Sequence, residues 1–292
     1  MTSLGLPFQG ACFYWVEASF NGGVSGTTLA ISAKVLDARI ALADKHKRLR
    51  GIDSPNACHL LKQCNDYTFH VEYIPQRGDT LMEDVISRGT DCQLQSLVFQ
   101  LNINKCLSSA DQSNYLLSGC KPKTIRISSS KNTEYVVVID FSFASVSTSG
   151  ATHTAPSTPT GAFCAFNIAG SIQSSVGGDL AYITNSIDIT IDQGINDYYD
   201  HDSIEKKFII EGELNIDATC DISLDEGGSA HLADVLAQTD FNVTVNMGAA
   251  GCPKLTLNNC KWKTFGADVN ISGEAMMESA PFTPKSISVA TV

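Results

Sequence analysis

About 150 residues separate two passages of this sequence that read nearly alike. Gly10-Ala11-Cys12-Phe13-Tyr14-Trp15 is echoed by Gly161-Ala162-Phe163-Cys164-Ala165-Phe166. Val24-Ser25-Gly26, running on to Ala30-Ile31-Ser32, returns as Val176-Gly177-Gly178 and Tyr182-Ile183-Thr184. Thr80 to Ser87 reappears as Ala230 to Ala237, 150 residues on, and each half closes on a Gly-Cys pair, Gly119-Cys120 and Gly251-Cys252, ahead of a strand-rich tail. Several segments in one order at nearly one offset imply a tandem duplication. A unit of that length is a whole domain rather than a solenoid blade. The expected domains are a first copy over residues 1–150 and a second over 151–292.

Within each copy the hydrophobic period is mostly two. Tyr135-Val136-Val137-Val138-Ile139-Asp140-Phe141 and Thr124 to Ser128 suit strands, and Ile187-Asp188-Ile189-Thr190-Ile191-Asp192 alternates strictly, with isoleucines on one face and polar groups on the other. Leu214 to Asp217, Phe241 to Asn246 and Val269 to Ser272 repeat that pattern. One helix per copy is expected where Leu81, Val85 and Ile86, and again Leu232, Val235 and Leu236, recur at three- and four-residue steps behind the capping residues Asp79-Thr80 and Gly228-Ser229. The Ser-, Thr-, Pro- and Gly-rich stretch from Val146 to Gly161 reads as the linker. The fold class implied is mainly β with short α: two tandem β-barrels or sandwiches, each with a flanking helix.

Charge divides unevenly between the copies. Residues 1–150 carry 14 Lys and Arg against 13 Asp and Glu, while residues 151–292 carry 6 against 18, so the net charge of −11 belongs to the second copy. Such a chain repels nucleic acid at a distance, which argues against DNA gripped through a basic patch. No apolar run approaches the ~18 residues of a membrane span, and Met1 to Gly10 lacks the pattern of a secretory signal. No stable membrane insertion and no export are therefore expected. The ten cysteines form no C-x-x-C pair. Most are expected to be reduced and buried, with a stray disulfide as the other option.

Catalytic patterns are absent: there is no phosphate-binding loop, no G-x-S-x-G and no H-E-x-x-H, and the six histidines are scattered. No enzyme activity, cofactor or metal is expected. Two charged segments carry more information. Lys45-His46-Lys47-Arg48-Leu49-Arg50 follows one alternating strand, and Asn196 to Glu205, with Asp197, Asp200, Asp202 and Glu205, follows its counterpart. Adding 155 to Lys45 gives Asp200, so the two read as equivalent loops of opposite sign. Around a ring of alternating copies, basic would meet acidic, and such complementarity sets partner choice and register. Both could equally be solvated loops.

Taken together, the Gly-rich start of each half, the alternating strand leading into a charged loop, Gly51-Ile52-Asp53-Ser54-Pro55 ahead of a strand from Tyr67 to Ile74, the helix that follows and the Gly266 to Ala275 run resemble the tail tube proteins of tailed bacterial and archaeal viruses. The resemblance implies a β-barrel or sandwich with a flanking helix whose strands join those of its neighbours around a bore. It implies rings of six such domains, stacked into a tube through which viral DNA passes without specific binding. With two domains per chain, a homotrimeric ring of pseudo-sixfold symmetry follows, with a hexamer as the alternative. The other partners implied are further tail proteins, and the location is the virion tail, assembled in the host cytoplasm. Asp188, Thr190 and Asp192 share one face and are candidates for the bore, though that face could equally meet outside solvent. A second possibility is a carbohydrate- or receptor-binding module using Tyr198, Tyr199 and Trp262. A third is an enzyme subunit whose site no motif reveals.

Overall fold

Apolar and polar residues two apart make strands wherever the two faces of a pleat meet different surroundings, and most of this chain is built that way. A computed structural model of the protein describes residues 10–23, 29–30, 33–43, 46–50, 57–62, 64–89, 92–103, 113–130, 132–148, 163–164, 172–174, 184–201, 203, 205–223, 233, 235–248, 250–264 and 277–291. The first half holds β1 (Gly10–Val16), β2 (Leu29–Ala30), β3 (Ala33–Ala43), β4 (His46–Arg50), β5 (Ala57–Lys62), β6 (Asp66–Pro75), α1 (Leu81–Ile86), β7 (Leu97–Ile103), β8 (Ser113–Ser130), β9 (Val136–Ser142) and β10 (Ser145–Ser147). The second holds β11 (Ile172–Ser174), β12 (Thr184–Asp192), β13 (Asn196–Tyr199), β14 (Lys206–Ile210), β15 (Asn215–Ser223), β16 (Phe241–Asn246), β17 (Pro253–Trp262), β18 (Met277–Thr283) and β19 (Ser286–Thr291). Helical residues at 233 and 235–237 lie between β15 and β16. The class is mainly β with short helices, and among the described residues the strands do not close into a barrel.

The pairings run through the same order twice. In the first half β1 pairs β7, β7 pairs β8, β8 pairs β9 and β10, β9 pairs β6, and β6 pairs β3. In the second β11 pairs β16, β16 pairs β17, β17 pairs β18 and β19, β18 pairs β15, and β15 pairs β12. The agreement extends to a bulge. Leu97 faces Cys120 and Phe99 faces Leu117, leaving Ser118 and Gly119 against Val98 alone. Phe241 faces Cys260 and Val243 faces Leu257, leaving Asn258 and Asn259 against Asn242. The extra residue of each bulge is left-handed, Gly119 at φ 69 and Asn259 at φ 50, positions suited to residues that tolerate positive φ. A Cβ on Gly119 would also come within 2.8 Å of the Ala144 Cβ. Beyond each bulge the Cys120 and Cys260 thiols donate back to the Leu117 and Leu257 carbonyls at 3.6 and 3.5 Å.

This register corrects two pairings drawn from the sequence. Gly119-Cys120 corresponds to Asn259-Cys260, not to Gly251-Cys252. Tyr14 faces Phe99 as Ser174 faces Val243, so β1 corresponds to β11 and not to Gly161–Phe166. Cys164 instead sits on the first half, its N–H donating to the Pro75 carbonyl at 2.9 Å and its carbonyl accepting the Tyr135 N–H at 3.1 Å. Short strings led by glycine or cysteine recur too easily to fix a register. The echo at 24–28 and 176–182 lies outside the described residues, as does most of the expected linker, whose first residues, 146–147, belong to β10.

Each half folds its strands over an aromatic core. Phe69, Phe99 and Phe141 lie 4.8 to 5.9 Å apart between ring centroids in the first, and Phe241, Trp262 and Phe282 lie 4.5 to 5.7 Å apart in the second. One continuous apolar cluster includes both sets. A disulfide between Cys164 and Cys252 links the segment seated on the first half to the second. Cys120, Cys220 and Cys260 are buried as expected, whereas Cys64 and Cys92 are exposed.

Helix α1 buries Leu81, Met82, Val85 and Ile86. Its cap is Asp79 rather than Thr80: the Leu81 N–H and the Tyr73 hydroxyl donate to the Asp79 carboxylate at 3.0 and 3.3 Å, while Thr80 Oγ1 meets the Tyr14 hydroxyl at 2.7 Å. Burial pushes the Asp79 carboxyl up from 3.8 to about 7. The folded state then holds a proton that the unfolded chain releases, so this group's contribution to stability is present below about pH 4 and is lost as pH rises through about 7. Asp79→Asn keeps the acceptor for Leu81 and should give a flatter melting-temperature profile between about pH 5 and 8; an unchanged slope would show that Asp79 ionises normally. In the second expected helix the described residues 233 and 235–237 are helical, and Leu236 is 76% exposed. Helix α1 lies against β19, and Val235 of the second helix packs against the core.

Candidate functional site

The C-terminal part of β8 pairs with β9 on one side and β12 on the other. That pairing carries a single sheet across both halves in the order β3, β6, β9, β8, β12, β15, β18. Its inner face is apolar, with Phe69, Val71, Ile139, Ile127, Ile189 and Ile216 all buried. Its outer face is polar. Asp188 stands opposite Ser128 and Thr219, Thr190 opposite Arg126 and Asp217, and Asp192 opposite Thr124 and Asn215. Asp188 and Asp192 are exposed and Thr190 half-buried. The three therefore share one face, and that face continues over seven strands.

Toward β3 the same face carries Asp37, His70 and Glu72, whose donor atoms lie within 4.8 Å of one another. His70 Nδ1 is 2.7 Å from the Asp140 carboxylate, and Asp37 pairs with Arg39, which holds its carboxyl below the usual range. These charges answer each other, with acid in excess along the face.

The second half also laps over the first. The β13–β14 hairpin brings the Lys206 ammonium to the Tyr67 carbonyl at 3.1 Å, to Ser142 Oγ and to Asp197 at 2.9 Å. The Ser142 hydroxyl donates to Asp197 at 2.8 Å, and the Tyr199 hydroxyl donates to the Asn65 carbonyl at 2.7 Å. Beside them Lys121 and Glu211 form an ion pair at 2.6 Å with side chains 7% and 5% exposed. The same Glu211 carboxylate accepts the Leu94 N–H at 3.0 Å. Arg88 adds bonds to the Gln193 side chain and to the carbonyls of Gln193 and Gly212. Every charge buried in this joint has a partner, the condition under which burial of charge is tolerated.

The two charged segments are hairpins, not loops. In β14 Lys206 and Ile209 are buried while Lys207, Phe208 and Ile210 are exposed, so burial there does not follow apolar character and no half-buried pattern marks it as a strand. Lys45 and Asp202 lie outside the described residues; Lys47, Arg48 and Arg50 lie on β4. Asp197 is committed to Lys206 and Ser142. Asp200 is exposed and paired with Lys207, which holds its carboxyl below the usual range, and Glu205 is exposed, its N–H donating to Ser203 Oγ at 3.0 Å. Both hairpins skip one residue at the same place, after Leu49 and after Tyr198. The register thus equates Arg48 with Asp197, not Lys45 with Asp200. Lys121, Ser142 and Lys206 were missed in the sequence; a lone Lys121 in the apolar run Cys120-Lys121-Pro122 was the available signal. Of the aromatic residues considered for sugar stacking, Tyr198 is 52% exposed, Tyr199 is engaged in the joint, and Trp262 is buried in the core. They do not form one platform.

No protein-family model matches the chain, and no curated protein matches it. Among the described residues no helix is long and apolar enough to cross a membrane.

Proposed function

We propose that the chain is a structural subunit whose two halves act as tandem copies of one tube domain, and that three chains close a ring which stacks into the tail tube of a virus. The observation that carries this reading is the β8–β12 ladder, which extends one sheet from the first half into the second. A module able to continue its sheet into a successor of the same topology is able to do so again between chains, and closed cyclic assemblies are the usual outcome. The acidic outer face suits a water-filled bore, because fixed negative charge repels phosphate and lets DNA pass without sticking. Asp188, Thr190 and Asp192 would line that bore. The role is mechanical and needs no catalytic residue or cofactor; assembly would take place in the host cytoplasm, with further tail proteins starting and ending the tube. Negative-stain imaging of the purified chain tests it. Tubes with a central bore are expected; monodisperse monomers that bind a glycan would favour a receptor-binding module instead.

A further inference from the structure

We infer that β3 and the β4–β5 hairpin form a docking element for the β17–β18 end of a second copy of this chain. The setting rests on the ring reading above, and the geometry rests on the joint already made inside the chain. Ile40 faces Phe69 as Ile189 faces Ala218, and Leu42 faces Tyr67 as Ile191 faces Ile216, which makes β3 the counterpart of β12. Ile189 and Ile191 are 0% exposed, because β8 runs along the far side of β12. Leu42 is 54% exposed, and among the described residues β3 pairs with β6 alone. An edge strand left with a large apolar side chain in water is suited to pairing with another chain.

The complementary end is present on the second half. Lys261 faces Thr283 as Lys121 faces Ser142. Asp240, Asn259, Lys261, Thr283, Pro284 and Lys285 line a depression of about 410 Å³, where the first half receives Asp197, Lys206 and Glu211. Leu236, ahead of Asp240 in the chain, is 76% exposed, while Ile86, its counterpart in the helix echo, is 4% exposed.

Charge assigns the β4–β5 hairpin to this end. In the internal joint the hairpin brings the carboxylates Asp197 and Glu211 together with Lys206, whose place Ala57 takes in β4–β5. The hairpin register puts Arg48 in the place of Asp197 and Lys62 in that of Glu211. The receiving end changes to match. Thr68 faces Ser142 in the first half; Asp217, next to Ala218 in β15, holds that place in the second, where it pairs with the exposed Lys263. Asp240 takes the position of Ser96 just ahead of the following strand, 3.4 Å from Lys261. The receiving end thus carries two carboxylates where the first half has Thr68 and Ser96, each held by an exposed lysine, Lys263 and Lys261, that an arriving arginine can displace. A basic hairpin therefore fits the second half of another chain and does not compete for the joint within its own, which is how opposed charge sets register.

Sedimentation velocity on the full chain, with imaging of the same samples, tests this. Arg48→Glu alone and Asp217→Arg alone should each raise the concentration for half-assembly by about tenfold or more, and the two together should restore it to near the wild-type value. Leu42→Glu, at an already exposed position, should abolish assembly while the circular dichroism and melting temperature of the monomer stay unchanged. Assembly indifferent to Arg48→Glu and Leu42→Glu, a double variant as weak as the singles, or a wild-type chain that stays monomeric would overturn the docking element. Wild-type rings that respond to the charge swap but never stack would support the docking element and remove the tube reading. Tubes that form in every variant would do the reverse.

Discussion

Glu211→Ala should lower the stability of the whole chain by about 3–5 kcal/mol, because it leaves the Lys121 ammonium, 7% exposed, without its carboxylate. The loss has two sources. The desolvated charge is stranded, and the Leu94 N–H loses its acceptor. Lys121→Ala strands Glu211 in the same way. Replacing both with apolar residues of similar volume, Lys121→Met with Glu211→Leu, should recover most of the loss, since a buried ion pair is often no better than a packed apolar pair. Urea unfolding followed by fluorescence gives all of these values. A single-variant loss under about 1 kcal/mol would show that water reaches Lys121 and that the joint is not closed.

Phe99→Ala should cost about 3–5 kcal/mol and should do so in one transition that takes both halves with it. Phe99 touches Tyr14, Phe69 and Phe141 in the first half, yet the apolar cluster runs on through Ile125 and Ile127 to Ile187, Ile189 and Ile191 of the second. The β8–β12 ladder and the Cys164–Cys252 disulfide tie the same halves together. Near-ultraviolet circular dichroism, dominated by aromatic residues of both cores, should therefore coincide with the far-ultraviolet signal on unfolding. Two resolved transitions in this variant, with only the first shifted, would mean that the halves are energetically independent.

What the sequence makes legible is what alternation encodes. Ile187 to Asp192 forms a strand with its isoleucines buried and Asp188 and Asp192 exposed, because one face meets a core and the other water. Helix α1 is equally plain, since Leu81, Val85 and Ile86 face that core. The strands at 196–199 and 206–210 were not legible, because burial there does not follow apolar character: Lys206 is buried while Phe208 and Ile210 are exposed, so a period of two in hydrophobicity gives no signal. The joint was hidden for a related reason. Asp197 reads as one acid among several in a polar segment, and nothing local shows that Lys206, nine residues on, is 2% exposed with three polar partners supplied largely by β6 and β9. The register of the repeat needed the bulges at Gly119 and Asn259, which depend on pairing and not on residue type.

An end-on reconstruction of the purified, assembled chain by cryo-electron microscopy tests the ring most directly. Three chains around a bore are expected, their six halves related by near-sixfold symmetry and the polar face carrying Asp188 and Asp192 turned inward. Particles with no bore, or a closed assembly in which the first and second halves do not alternate around the axis, would contradict it.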